Sequence, residues 1–400
     1  MSDRRPCDGL RVLELGTFLA GPFVGTQMAE FGAEVIKVEM PEVGDPTRRY
    51  GHMPQGQSSV VWMSEGRNKK SVTLDLRTPE GAEIARDIAA TCDVVVENFQ
   101  PGTLEGWGLG WDELRARKPD LVMVRISGFG QTGPNRDRPG FGRVGNAFGG
   151  LAYLAGYPDR PPVTPGSATI ADYLAGLNGT LGALLALRHR DATGEGQVVD
   201  IGLYEPIFRI LDELLPTYSL TGFVRGRVGP RSANSAPHSH FETRDGRWVG
   251  IACTSDKIFA RLARLIGDES VAGEGKWGTI ARRKDDIDAL EDWVSGWSRS
   301  LDRADLLAAC EAAQVPCGPI YSIEEIVTDP QYAARGNILT IDDARTGPIS
   351  VPNVVPRLEG SPGRVDWLGP DLGQHNDEVL GGLLGLDPDR LEELRRRGVI

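Results

Sequence analysis

The chain has 400 residues, 40% of them hydrophobic and 25% charged, with a formal net charge of -12. These are the proportions of an ordinary globular protein, and the length suggests two domains rather than one core. The acidic balance argues against nucleic acid or an anionic membrane as partner, since either needs a basic surface.

The opening MSDRRPCDGLRVLEL has no apolar stretch of signal-peptide length. No window reaches the roughly 18 apolar residues of a membrane span, so a cytoplasmic location is expected. Leu10–Leu15 and Glu34–Glu39 read as short apolar strands around a helical stretch from Pro22 to Phe31. Between them, Leu15-Gly16-Thr17-Phe18-Leu19-Ala20-Gly21-Pro22 forms a strand-to-helix turn whose backbone N–H groups suit an anion. It is not a GxGxxG fingerprint, so NAD is not its expected ligand. Arg67-Asn68-Lys69-Lys70 reads as a basic loop before a strand at Ser71–Leu76, suited to phosphate or adenine. Thr78 caps a helix with Pro79 in its first position, running to about Ala90. Strands follow at Asp93–Glu97 and Leu121–Ser127, with a short helix at Trp111–Arg117. Asn98, Phe99 and Gln100 follow the strand that ends at Glu97, and the carboxyl ends of strands are where open α/β sheets bind ligands.

A long small-residue helix spans about Ile170 to Arg190, with one carboxylate, Asp172, at its head. A strand at Gln197–Gly202 and a helix from Glu205 to about Ser219 complete a doubly wound parallel α/β pattern. Gly222 to Pro237 is rich in Gly, Ser, Pro and Arg and marks a boundary. A hairpin follows, His240–Thr243 and Trp248–Cys253 around Arg244–Arg247, then helical segments at Ser255–Leu265 and Asp285–Cys310. The expected division is 1–221 as a large domain, 222–328 as a smaller α+β domain, and 329–400 returning to the first. That tail has too little core to stand alone. The five cysteines form no close pair and the five histidines no ligand set, so no disulfide framework and no metal are expected.

The segments LRVLELGTFLAGP, GAEVIKVE, GDPTR, NKKSVTLDL, DVVVENFQPG, ISGFGQTGP, TGEGQVVDIGLYE, VPCGPI and LGQHNDEVL, together with the Asp172 segment, run in register from Leu10 to Leu380. In this the chain resembles the class III CoA-transferases, the family of formyl-CoA and carnitine CoA-transferases that includes α-methylacyl-CoA racemase. The resemblance implies a Rossmann-like sheet built from both chain ends, a small middle domain and an interlocked homodimer. It implies coenzyme A esters as substrates, with no permanently bound cofactor, and Asp172 as catalytic nucleophile. The helix dipole should favour its anion, and glycines 166, 176 and 179 should admit a thioester. Leu19, Ala20, Lys37, Asn68, Lys69, Lys70, Asn98, Phe99, Gln100, Phe141 and Arg143 are the expected CoA-site residues.

Many relatives have arginines where this chain has Gln100 and Gly106, so Lys37, Lys69, Lys70 and Arg143 are the expected phosphate contacts. Leu19 stands where oxalate-using relatives have Gln, which argues against oxalate. Phe141 stands where the racemases have a catalytic histidine. Epimerisation needs two proton-transfer groups, so acyl transfer is favoured and racemase or isomerase chemistry is the alternative. A non-catalytic CoA-binding subunit would have no use for Asp172. The expected reaction moves CoA from an acyl-CoA, succinyl-CoA being the candidate donor, to a small dicarboxylic acid whose distal carboxylate pairs with Arg143. Backbone at Gly226–Gly229 is expected to shield the intermediate.

Overall fold

The computed structural model describes residues 4–54, 58–164 and 169–400. The chain divides into two compact units. One comprises Met1–Ala152, Pro165–Gly222 and Ala334–Ile400; the other comprises Tyr153–Thr164 and Phe223–Ala333. The stretch Tyr153–Thr164, expected within the large domain, therefore belongs to the second unit.

Short runs of β-branched residues form the centre of the first unit. Strands β1 (Arg11–Glu14), β2 (Glu34–Glu39), β3 (Lys69–Thr73), β4 (Val94–Glu97), β5 (Val122–Ser127) and β6 (Val198–Gly202) make one sheet in the order 3-2-1-4-5-6. Every pairing within it is parallel. Alternate residues face opposite layers. Leu13, Ile36, Val72, Val95 and Met123 pack with Ala82, Ala85 and Ile88 of the helix Pro79–Ala90. Val12, Val35, Val94, Val96, Val122 and Val124 pack on the other side with Val24 and Met28 of the helix Ala20–Glu30, and with Ala175 and Ala183 of the helix Ile170–Thr193. Burial on both faces explains why these strands read as continuous apolar runs. Thr78 accepts a hydrogen bond from the Gly81 amide and caps the helix that Pro79 opens.

Strand β3 begins two residues earlier than expected, so Lys69 and Lys70 lie in the sheet rather than in a loop. The C-terminal stretch clasps this edge. Ser71 and His375 exchange contacts, the His375 amide donating to the Ser71 carbonyl and the Ser71 amide to His375 Nδ1. The Thr73 amide donates to Asn376 Oδ1 at 2.8 Å.

The helix Ile170–Thr193 is long and apolar enough, by length and composition, to cross a membrane, contrary to the sequence expectation. Its alanines and glycines pack on the sheet and on Ala20–Glu30. The helix expected from Glu205 to Ser219 is two, Glu205–Arg209 and Leu214–Thr221, with Asp212 between them at φ 50°.

The second unit holds a three-stranded antiparallel sheet, His238–Glu242, Trp248–Ala252 and Cys317–Pro319. Phe259, Leu262, Leu290, Val294 and Leu306 pack against it. The helical region expected at Asp285–Cys310 is divided into Ile280–Asp285, Ile287–Ser298 and Arg303–Ala312.

Candidate active site

In a 3-2-1-4-5-6 sheet the crossovers leave β1 and β4 in opposite directions, which opens a crevice at their carboxyl ends. A cavity of about 290 Å³ lies there. The β1 loop contributes Thr17, Phe18, Leu19 and Ala20; the β4 loop contributes Asn98, Phe99, Gln100 and Pro101. Ile126, Ser127 and Gly128 come from the end of β5, and Arg138, Pro139, Gly140 and Phe141 from the loop beyond it. Leu203 and Asp172 complete the lining.

Asp172 is the third residue of the helix Ile170–Thr193, partly buried at its first turn. Burial pushes its carboxyl up from 3.8 to about 6, and a hydrogen bond from its own backbone amide offsets this only in part. The stabilisation of the anion expected from the helix dipole is thus outweighed by desolvation. A carboxylate with little solvation is a better nucleophile than one in water.

The β1 loop is held from beneath. Asn98 Oδ1 accepts from the Thr17 amide at 2.7 Å, and Asn98 Nδ2 donates to the Thr17 carbonyl at 2.8 Å. The Phe18 amide reaches Asp45 Oδ1 at 3.3 Å, and Phe18 itself adopts φ 61°. This left-handed conformation costs a bulky residue about 1–2 kcal/mol. These two amides are thereby occupied, so they do not offer the anion site expected of this turn. The Phe18 ring stands edge-on to Phe141, centroids 6.4 Å apart, and forms one wall of the cavity.

Lys37 lies below the loop, fully buried. Its Nζ sits 2.8 Å from Asp45 Oδ2 and 3.3 Å from Glu14 Oε1, and donates to the Gly16 carbonyl. Burial lowers its affinity for a proton, but Asp45, Glu14 and Glu39 outweigh that and hold the ammonium above its usual range. Lys69 is 1% exposed and pairs with Glu14 Oε2 at 2.8 Å while donating to the Pro22 carbonyl at 2.7 Å. Removing one member of such a buried set strands its partners' charges and costs about 3–5 kcal/mol.

Of the expected site residues, Asp172, Leu19, Ala20, Asn98, Phe99, Gln100 and Phe141 meet at one cavity. Lys37, Asn68, Lys69, Lys70 and Arg143 are not among its lining. Lys37 and Lys69 are interior ion-pair members and cannot reach a phosphate. Lys70 pairs with Glu34 at 2.6 Å and Glu378 at 2.7 Å. Asn68 is buried at φ 57°, donating to the Arg364 carbonyl at 2.7 Å and accepting from the Asp366 amide at 2.7 Å. It clasps the returning C-terminal stretch. Arg143 lies on the exposed side of the helix Gly142–Phe148, whose first turn begins just after Phe141.

The glycines of the Asp172 helix serve packing rather than substrate entry. A methyl group on Gly176 would meet the Ala20 carbonyl oxygen at 2.9 Å, and one on Gly179 would meet Val24 at 2.7 Å. Gly166 lies outside the described residues. Gly226–Gly229 belongs to the second unit and is not part of this lining.

Sequence reasoning missed Arg138, Ser127 and Phe18. A signal was present for Ser127 alone, which ends the parallel strand β5 at its carboxyl end, where ligands bind. Arg138 is the one cation, and Asp172 the one carboxylate, among the described lining residues.

A larger cavity of about 660 Å³ lies in the second unit. Its charged groups are largely matched to one another: Arg231 pairs with Glu291 and Asp288, each at 2.7 Å, and Arg299 with Glu242 at 3.3 Å. The site is assigned to the smaller cavity, which lies at the carboxyl ends of the parallel strands and holds the partly buried Asp172 at a helix head.

Comparison with known proteins gives a consistent result. The sequence profile of CoA-transferase family III matches residues 7–376. The chain is 45% identical over 399 residues to the succinyl-CoA–L-malate CoA-transferase alpha subunit of Chloroflexus aurantiacus, covering 100% of this chain and 93% of that one. It is 47% identical to succinyl-CoA–D-citramalate CoA-transferase of the same organism, covering 99% of this chain and 98% of that one. Among solved structures, a CAIB/BAIF family protein from Brucella suis superposes with a TM-score of 0.84 at 35% identity, covering 95% of this chain and 100% of that one.

Proposed function

Because this chain belongs to CoA-transferase family III, we propose that it moves CoA from succinyl-CoA to a second small dicarboxylic acid by covalent catalysis at Asp172. An Asp172 carboxylate oxygen attacks the donor thioester carbonyl, and the CoA thiolate leaves, giving a mixed anhydride. The thiolate attacks the aspartyl carbonyl and expels the donor carboxylate, leaving an aspartyl-CoA thioester. The acceptor carboxylate attacks that thioester, giving a new anhydride and freeing the thiolate. The thiolate then attacks the acceptor's acyl carbonyl, and Asp172 is regenerated. Each step exchanges one carboxylate for one thiolate, so no proton is gained or lost and no external base is required.

The observation that carries this reading is the single carboxylate on the cavity. Racemisation needs acid–base partners on two faces of the α-carbon. The described lining offers Asp172 with no histidine, lysine, cysteine or second acid. The choice of dicarboxylates is supported by the relatives, whose names carry succinyl-CoA with malate or citramalate. It is supported also by the lone cation of the cavity.

The test is to incubate the protein with succinyl-CoA, trap with hydroxylamine and map the modified peptide by mass spectrometry. Modification at Asp172, lost in Asp172→Asn, is expected. Modification elsewhere, or α-proton exchange of a 2-methylacyl-CoA with deuterated water at the turnover rate, would sink the transferase reading.

A further inference from the structure

We infer that Arg138, a residue no sequence motif singled out, reads the distal carboxylate of the acyl group carried by Asp172. This assignment rests on the transferase reading above. Arg138 lines the Asp172 cavity and is exposed there. Its backbone amide bonds to the Asn135 carbonyl at 2.9 Å, while its guanidinium makes no hydrogen bond or ion pair with a described residue. In a chain this rich in paired arginines, a cation left without a carboxylate at a cavity wall is available for one from a ligand.

The loop that carries it is pinned on both sides. Just before it, Gln100 Nε2 donates to the Asp137 carbonyl at 2.6 Å. Two residues after it, Gly140 lies against Gly128 so closely that a methyl group on either would meet the other's Cα at 2.6–2.8 Å. Backbone fixed this way sets where the Arg138 side chain starts and keeps the loop itself from having to order on binding. Gln100 thus holds the arginine-bearing loop.

The remaining wall fits the assignment. Ser127 is 95% buried (5% exposed), and its hydroxyl has no hydrogen-bond partner among the described residues. It precedes Gly128, on which the Arg138 loop rests. Phe18, Leu19 and Phe141 are apolar and suit the short carbon chain between the two carboxyl groups. An acyl group without a distal carboxylate would forgo the charge-assisted bond that a dicarboxylate makes to Arg138.

The experiment compares single-turnover acylation of Asp172 by succinyl-CoA and by butyryl-CoA, read as trapped protein mass, in the wild-type chain and in Arg138→Gln and Arg138→Lys. The quantity read is the ratio of the two rates, which a general loss of folding or of CoA affinity does not move. Loss of a charge-assisted bond in Arg138→Gln should lower that ratio roughly ten- to hundredfold. Arg138→Lys should restore part of it. A ratio unchanged in Arg138→Gln, whether both rates fall together or neither falls, overturns the assignment and returns Arg138 to the CoA phosphates or to the fold. If neither ester acylates the wild-type protein, the transferase reading fails and this one with it, an outcome distinct from the first.

Discussion

At Asp172 two physical effects oppose each other. The helix N-terminus favours the anion by about 0.3–1 kcal/mol, while burial disfavours it by more and lifts the carboxyl to about 6. Only the carboxylate attacks a thioester, so acylation should be slow below pH 6, rise through about 6 and level off above it. An inflection near 4 in single-turnover acylation against pH would show that burial is not the dominant influence. The same shift bears on stability. An acid whose folded value is raised favours the fold below its unfolded value, and that advantage is lost as pH rises through the folded value. The protein should therefore lose on the order of 3 kcal/mol between about pH 4 and 6 from this group alone. Asp172→Asn should abolish acylation yet melt no lower than wild type at neutral pH.

At the scale of elements, the Asp172 helix is positioned by how closely it approaches the helix Ala20–Glu30. Gly176 faces the Ala20 carbonyl and Gly179 faces Val24. Alanine is the better helix former by about 1 kcal/mol, so propensity alone predicts that Gly176→Ala stabilises. The added methyl, however, would sit 2.9 Å from a backbone oxygen, and overpacking of this kind costs about 1–3 kcal/mol. The clash should win. Gly176→Ala should lower the melting temperature and, by moving Asp172 relative to the β1 loop, lower the acylation rate as well. A stabilised and fully active variant would mean that the two helices have room to spare.

For the molecule as a whole, the notable feature is apolar surface on the first unit. Leu177, Leu181, Leu184 and Leu185 share one face of the Asp172 helix, and Leu181 and Leu185 are 56% and 62% exposed. The two following helices and the link between them add Phe208, Ile210, Leu215, Tyr218 and Leu220, the last 86% exposed. Soluble chains seldom leave such clustered surface open, and the proposed occupant is a second copy of this chain. Sedimentation should give a species of about twice the chain mass that persists on dilution, and Leu181→Lys with Leu185→Lys should break it. A monomer that is stable and active would remove the proposed dimer. A partner required from a related but different chain would replace it, since one similar protein is described as an alpha subunit.

The alternation of β-branched runs with helical stretches determined the parallel α/β sheet from the sequence alone, because burial on both faces leaves a local apolar signature. Asp172, Asn98, Phe99 and Gln100 were legible for a related reason: they sit at a strand end or a helix head, where position in the chain predicts position at the crevice, whereas Phe141 was legible only through the family resemblance. The lysines were not. Charge can be read from sequence, but whether a lysine meets solvent or a buried carboxylate depends on strands distant in the chain. Lys37 and Lys69 meet at Glu14 across three strands. Arg138 is the converse case. It stands among other loop arginines with nothing local to mark it, and only the contacts of its neighbours with Gln100 and Gly128 place it on the wall of the Asp172 cavity.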